Sequence, residues 1–449
     1  MLFKRKNISS LHVPHNKHTD GCVPAAIACP KEVVLPMSMH SGAPANPIVK
    51  VGDYVRVGQL IAEEGGPISA PVHATISGTV AEIAPIKLFG GREVNAIRIE
   101  SDGKMEVDPS VQPPAHPKDL QEFLETVRAS GVVGLGGTAF PVWKKLAAAE
   151  RNEIDTVLIN AAECEPYITS DHRMMLDHTE LLVKGIELMK EFLKTKKCVI
   201  CIENNKADAM EKLKGIFAGD DRVEICELPT IYPQGAKQVL LYNVTGKVVK
   251  GGQRLASLGV IIINVSSLSK VAHYFLTGMP LVDRIVTVDG SAVAEAKNLI
   301  VPVGTRVSAL LEETGLKTEP GKVLIGGPML GRAVGTTDDP IVKATSAILA
   351  FDEEDAVLPE ESPCIRCGRC VSICPASLNP DAIARAMDIE DEDEKAEALT
   401  KAGARQCIEC ACCSYVCPAN RPILENNLKA MNFLWAYNKA KQEKEAVQK

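Results

Sequence analysis

Aromatic residues are scarce in this 449-residue chain, at 4%, and long apolar runs are missing. The longest uncharged apolar stretch lies within 255–268 (LASLGVIIINVSSL), short of the ~20 residues needed to cross a bilayer, so no direct membrane span is expected. An excess of positive charge is missing too. Lys and Arg number 50 against 57 Asp and Glu, for a net charge of −7, which argues against a nucleic-acid partner. The N-terminus passes from basic residues straight into polar ones, without the apolar core of a secretory signal. What is abundant is cysteine, 15 residues in all. An odd number in a chain without a signal argues for a reducing compartment rather than a disulfide scaffold. With 46% apolar and 24% charged residues, the rest reads as a packed multidomain globular chain.

Four regions follow one another. Residues 1–107 comprise an irregular arm and a β module. In the arm, His12, His15, His18, Cys22 and Cys29 could hold a metal, although their spacing fits no zinc finger; a polar extended arm is the other reading. From about 45 to 100, apolar and polar residues alternate between turn signals, as in short half-buried strands. This pattern resembles the barrel-sandwich (biotinyl/lipoyl-type) domain. The hairpin tip that would carry a lysine reads Ala70-Pro71-Val72-His73-Ala74, which implies the fold without the swinging arm. A Pro-rich linker, 108–117, leads into region 118–283, where helix and strand patterns alternate as in an α/β layer with a largely parallel sheet. Strands are expected at 156–160, 198–203, 223–228 and 259–265, and one long helix over 171–194. Region 284–350, with Asp289-Gly290 as a hairpin turn, resembles a β-grasp module of the soluble-ligand-binding type, and 322–350 is expected to return to the α/β body. Region 355–449 is helical and cysteine-rich. Its acidic run, 388–394, reads as a solvated face.

Cys364, Cys367, Cys370 and Cys374-Pro375 spell C-x2-C-x2-C-x3-C-P, and Cys407, Cys410, Cys413 and Cys417-Pro418 repeat it at a constant offset. Three closely spaced thiolates wrap one cubane, and the fourth, before proline, reaches the other cluster. The spacing therefore predicts two [4Fe–4S] clusters, one on Cys364, Cys367, Cys370 and Cys417, the other on Cys407, Cys410, Cys413 and Cys374. Paired zinc sites are the alternative, but zinc needs neither the third close cysteine nor the proline. Cys412 is off-pattern. Cys198 and Cys201 fall in a strand, where an offset of three puts side chains on opposite faces, so buried thiols are expected.

Clusters of this kind carry single electrons, so a source or acceptor is needed. The segment GVVGLGGTAFP, 131–141, followed by Lys144 and Lys145, has the glycines that let a backbone approach a phosphate; no strand directly precedes it, so it is not the dinucleotide fingerprint. Beyond strand 157–160 lies an acidic loop, Ala161-Ala162-Glu163-Cys164-Glu165-Pro166, at the end of the sheet where α/β folds bind ligands. The later strand ends in Asn264-Val265-Ser266-Ser267.

In this order, GVVGLGGTAFP, NAAECEP, YPQGAKQ and NVSSL resemble the FMN- and NADH-binding subunit of respiratory complex I. The succession of modules is similar to the RnfC family, the C subunits of the Rnf ion-translocating ferredoxin:NAD oxidoreductases. That resemblance implies a noncovalent FMN cradled by Gly134, Gly136, Gly137 and Lys145, with Asn160, Glu163, Glu165, Asn264 and Ser267 lining the flavin and nicotinamide side. Leu135, Ala162 and Ala236-Lys237 depart from the complex I pattern. The implied activity is exchange of hydride between NAD(H) and FMN, with single electrons passing through the clusters to membrane-embedded and ferredoxin-type partner subunits, and no catalytic side chain. The implied location is peripheral, on the cytoplasmic face of the membrane. Two other readings share the modules: a microcompartment cobalamin reductase, and a flavin-less scaffold like the related subunit of the Na+-pumping quinone reductase.

Overall fold

The alternating pattern of the first region builds two small antiparallel sheets. In the computed structural model, which describes residues 8–88, 91–249 and 253–447, one sheet runs Glu32–Pro36, Glu93–Ser101, Gly78–Lys87, Tyr54–Val55. The other runs Asn46–Pro47, Leu60–Glu63, Val72–His73. Their inward residues, among them Val33, Leu35, Ile61, Val72, Ile76, Val80, Ile97 and Ile99, share one core, as a sandwich requires. The expected hairpin tip is not a tip. Ala70, Val72 and Ala74 are fully buried and Val72–His73 is a strand, because these small and branched side chains supply core to the module. The basic start of the arm, residues 1–7, lies outside the described residues.

The α/β region carries a parallel sheet in the order Val223–Leu228, Lys197–Glu203, Thr156–Ala161, Val260–Asn264. Strands 197–203 and 260–264 are nearly continuous buried runs, as expected where helices cover both faces. The chain steps outward from 156–161 through 197–203 to 223–228, then returns to the other side of 156–161. The sheet's topological switch point therefore lies between strands 156–161 and 260–264. Helix Leu120–Ala129 starts at Asp119, whose carboxylate accepts the Glu122 amide, and its Phe123 stacks on Phe192 at 4.5 Å between ring centroids. The single helix expected over 171–194 is broken at His178 into Ser170–Asp177 and Thr179–Phe192. The second piece lies against helix Val265–Thr277 so closely that a Cβ on Gly185 would come within 2.6 Å of Leu268.

The fourth sheet runs Lys297–Pro302, Asp283–Asp289, Ala347–Phe351, Lys322–Ile325, Arg332–Ala333, with helix Val307–Thr314 following strand 297–302. The first and last of its strands in sequence are parallel and adjacent, and their neighbours antiparallel, as in a β-grasp. Strands 322–325 and 347–351 thus complete this sheet instead of returning to the α/β body; their buried faces match the apolar face of 283–289. The turn after Asp289 is also longer than a tight hairpin, since the next strand begins at Lys297. Arm residues Ala25–Ala26 add to its edge, parallel to 297–302.

All of these elements belong to one compact unit, His15–Leu228 with Arg254–Ala356. A second unit combines Val357 onward with Pro229–Gln253 and the start of the chain up to Pro14. Segment 229–253, which sequence order assigns to the α/β region, thus belongs to the other unit. In the second unit, helices Pro380–Ala386, Glu392–Lys401 and Ile423–Val447 close on Leu378, Ile383, Leu399 and Leu434. The acidic run has a local use: Asp391 caps helix 392–401 through the Glu394 amide, and the acids of the first turn favour the positive end of the helix. Among the described residues no helix is long and apolar enough to cross a membrane.

Candidate functional site

Gly134, Gly136 and Gly137 lie at the switch point because of one tie. The Leu135 amide donates to Ser267 Oγ at 2.8 Å, and the same hydroxyl donates to the Val133 carbonyl at 3.2 Å. Leu135, which stands where the resembling motif has arginine, turns into the core at 2% exposure. Gly136, Gly137 and Thr138 are left exposed. A Cβ on Gly136 would sit 3.1 Å from Asn264 Nδ2, and Gly137 has φ +91° with open space before it. The loop is thus a bare stretch of backbone beside the N-terminus of helix 265–277, capped by Asn264 through the Ser267 amide at 3.0 Å. Exposed amides and the positive end of a helix suit a phosphate, so the residues fit an FMN phosphate. Lys145 stands in the short helix Val142–Leu146 that follows the loop.

The acidic loop behaves differently from the expectation. Glu163 turns inward, its carboxylate accepting the Asp171 amide at 2.5 Å and the His172 amide at 3.1 Å at the start of helix 170–177. Glu165 accepts the Met329 amide at 3.1 Å, against Gly327, where any Cβ would collide with it. Burial pushes both carboxyls up to about 7. These two acids serve the loop's own shape. Asn160 likewise accepts the Ala162 amide at 3.3 Å, and of the expected flavin-side residues the structure brings Asn264 and Ser267 against the glycine loop.

Two features of the site have no signal in the sequence. Asp171, partly buried, accepts Asn264 Nδ2 at 2.6 Å and the Ser266 hydroxyl, and desolvation raises its carboxyl. Two lysines support the acidic loop from below: Lys206 Nζ donates to the Ala162 carbonyl at 2.7 Å, and Lys17 Nζ to three carbonyls of the loop. The arm does not gather its histidines and cysteines. Among the described residues no three His, Cys, Asp or Glu side chains could hold a metal ion; His18 faces Asp289 at 3.1 Å and Cys29 faces the Ser101 hydroxyl.

In the second unit, Cys374, Cys407, Cys410 and Cys413 line one cavity, floored by Leu378, Leu424 and Asn427. Their thiols lie near enough to influence one another's ionisation. Cys374 comes from the first motif and the other three from the second, which is the crossed set that the proline rule gives. The Ser362 amide donates to the Ala419 carbonyl at 3.0 Å and the Asn420 side chain to the Glu360 carbonyl at 3.0 Å, joining the segment before Cys364 to the one after Cys417. Cys364 and Cys367 are exposed, and Cys370 and Cys417 partly buried. The sulfurs of a cubane's four iron corners stand further apart than ligands of one ion, so such a set fits a cluster better than a single metal. Cys412, fully buried, lines the same cavity. Cys198 and Cys201 are both buried free thiols in strand 197–203, and burial raises each.

Comparison with known families matches this order of parts. The RnfC barrel sandwich hybrid domain matches residues 8–104, the Nuo51 FMN-binding domain 127–273 and the 4Fe-4S dicluster domain 360–421. Among curated proteins, the chain is 39% identical over 378 residues to the C subunit of the Na(+)-translocating ferredoxin:NAD(+) oxidoreductase complex of Acetobacterium woodii, with 83% of this chain and 85% of that protein covered. The chain belongs to this RnfC family. Within the family it is 38% identical to the C subunit of the proton-translocating ferredoxin:NAD(+) oxidoreductase complex of Clostridium ljungdahlii, over 83% of this chain and 82% of the relative. It is 37% identical to the C subunit of the ion-translocating oxidoreductase complex of Rhodobacter capsulatus, over 82% of this chain and 72% of the relative. As a member of the family the chain is an oxidoreductase complex subunit, multidomain α/β in fold, with an FMN-binding domain and a dicluster 4Fe-4S domain.

Proposed function

We propose that this subunit exchanges electrons between NAD(H) and its partner subunits in a ferredoxin:NAD+ oxidoreductase, through a noncovalent FMN and two [4Fe–4S] clusters. FMN when bound supplies hydride exchange with a nicotinamide on one side and single-electron exchange on the other. The chain's own residues bind and orient. The amides of Gly136 and Gly137 and the N-terminus of helix 265–277 hold the phosphate, with Lys145 adding charge. Asn264 and Ser267 fix the loop, and Asn160, near the end of strand 156–161, would contribute to the flavin side. The cysteine sets Cys364, Cys367, Cys370, Cys417 and Cys407, Cys410, Cys413, Cys374 hold the clusters.

The observation that carries this reading is the Leu135–Ser267 tie, which opens bare glycine backbone at the switch point. The partners are read as membrane-embedded and ferredoxin-type subunits, with this chain peripheral on the cytoplasmic face. Anaerobic purification of the full chain, flavin and iron analysis, and addition of NADH test the reading. Bleaching of the flavin absorbance is expected; a chain that retains no FMN, or a flavin that NADH leaves oxidised, overturns it.

A further inference from the structure

The acidic loop folds around a point occupied by an ammonium. Lys17 Nζ donates to the carbonyls of Glu163 at 2.8 Å, Glu165 at 2.8 Å and Ile168 at 2.5 Å. An ammonium has three donors, and here each finds a main-chain acceptor. The carbonyls converge only because the loop takes two uncommon backbone conformations, with φ +51° at Glu163 and +68° at Tyr167. Converging carbonyls repel one another, so this shape needs positive charge at its centre, as carbonyl-lined cation sites do. The arm around Lys17 is fastened on both sides. The Tyr167 amide donates to the His15 carbonyl at 2.9 Å, and Arg173 to the Asp20 carbonyl at 3.0 Å. Further along, Asn298 of the β-grasp sheet donates to the Thr19 carbonyl at 2.8 Å. Burial and the nearby Lys206 lower the Lys17 ammonium to about 8, which leaves it charged at neutral pH.

We propose that Lys17 is a positioning residue for the acidic loop: its ammonium stands where a monovalent cation would, and shapes the loop for the flavin and nicotinamide beside it. The proposal rests on the FMN reading above for its consequence, but not for its geometry. Loss of the ammonium leaves three converging, partly buried carbonyls without their shared donor. The loop relaxes, Glu163 loses its register on helix 170–177, and through Asp171 and Asn264 the change reaches the glycine loop. Arg cannot replace Lys here, because a planar guanidinium does not fit a three-carbonyl point.

Two measurements on the full chain decide it. First, FMN affinity of flavin-stripped protein is read by fluorescence quenching for the wild type, Lys17→Ala and Lys17→Arg, in sodium buffer and with added ammonium or methylammonium chloride. Lys17→Ala is expected to bind about tenfold more weakly, with ammonium or methylammonium restoring most of the loss, while Lys17→Arg stays weak in both. Wild-type affinity in Lys17→Ala, or a loss that neither cation relieves, overturns the proposal. Second, hydrogen exchange of residues 162–169 is compared between wild type and Lys17→Met, which keeps the stem and loses the charge. Faster exchange is expected, largest in that loop and extending to the Asp171 and His172 amides that Glu163 accepts, and unchanged exchange overturns the proposal. If the wild type takes no FMN, the functional reading fails and the exchange measurement still decides the role of Lys17.

Discussion

The Ser267 hydroxyl lies 2.8 Å from the Leu135 amide, joining the start of helix 265–277 to a loop 132 residues earlier in the chain. This bond turns Leu135 inward and Gly136 outward, and so converts a glycine-rich turn into a surface on which a phosphate can rest. Ser267 is itself buried, so the bond is protected from water.

Ser267→Ala removes the acceptor of that buried amide. An unmade buried hydrogen bond costs about 1–3 kcal/mol, so the unfolding free energy from urea titration of the full chain is expected to fall by that amount, with a lower midpoint. FMN affinity should fall with it. Unchanged midpoint and affinity together would show that the loop holds its shape without Ser267.

Gly136→Ala brings a Cβ to 3.1 Å from Asn264 Nδ2 and masks the bare backbone, so weaker FMN binding with a nearly unchanged melting temperature is expected. Gly215→Ala is the control. It lies in helix 207–216 with open space around it, and alanine there should add about 0.5–1 kcal/mol while leaving FMN binding as it was.

The crossed cysteine sets make a specific statement about iron. Cys374→Ser should cost the cluster otherwise held by Cys407, Cys410 and Cys413, lowering iron content by about half on anaerobic analysis. Its effect should match that of Cys410→Ser, although the two residues sit in different motifs. Cys412→Ser should leave the iron content intact; equal losses in all three variants would refute the ligand sets.

Glu165 supplies a pH dependence. Burial raises its folded-state pKa to about 7, above the ordinary 4.5 of an exposed glutamate, so the folded chain keeps a proton that the unfolded chain has released. The stability from this group is full below the unfolded value and is lost as pH rises through about 7. Glu165→Gln should therefore flatten the decline in unfolding free energy, read from urea titrations between pH 5 and 8, by about 1–3 kcal/mol. An identical decline in the variant would assign it to other groups.

Legibility varies with the range of the interaction. The cysteine repeat, the glycine loop and strand 223–228 are local patterns, and residue types at short spacing suffice to announce them. Strands 322–325 and 347–351 join a sheet that their sequence does not indicate, because a buried strand carries no mark of its partner; only the apolar face of 283–289 selects them. The helix read over 171–194 breaks at His178, and its second piece packs at Gly185 against Leu268 of a helix about 80 residues later, a contact that no local pattern announces. Glu163 and Glu165 have the right type and place for lining a ligand site. Two helix-start amides bind one and the 327–330 loop the other, and no local pattern reveals that competition.

By itself the sequence determined which chemistry this protein carries. Ligation of two cubanes and close backbone approach to a phosphate are announced by thiolates and glycines at fixed short spacings. Only the tertiary structure decided which polar groups remain open to a ligand and which are consumed in holding the site, Lys17 and Ser267 foremost. Those choices are made by hydrogen bonds between segments more than a hundred residues apart, where the nearest unsatisfied partner wins whatever its place in the chain.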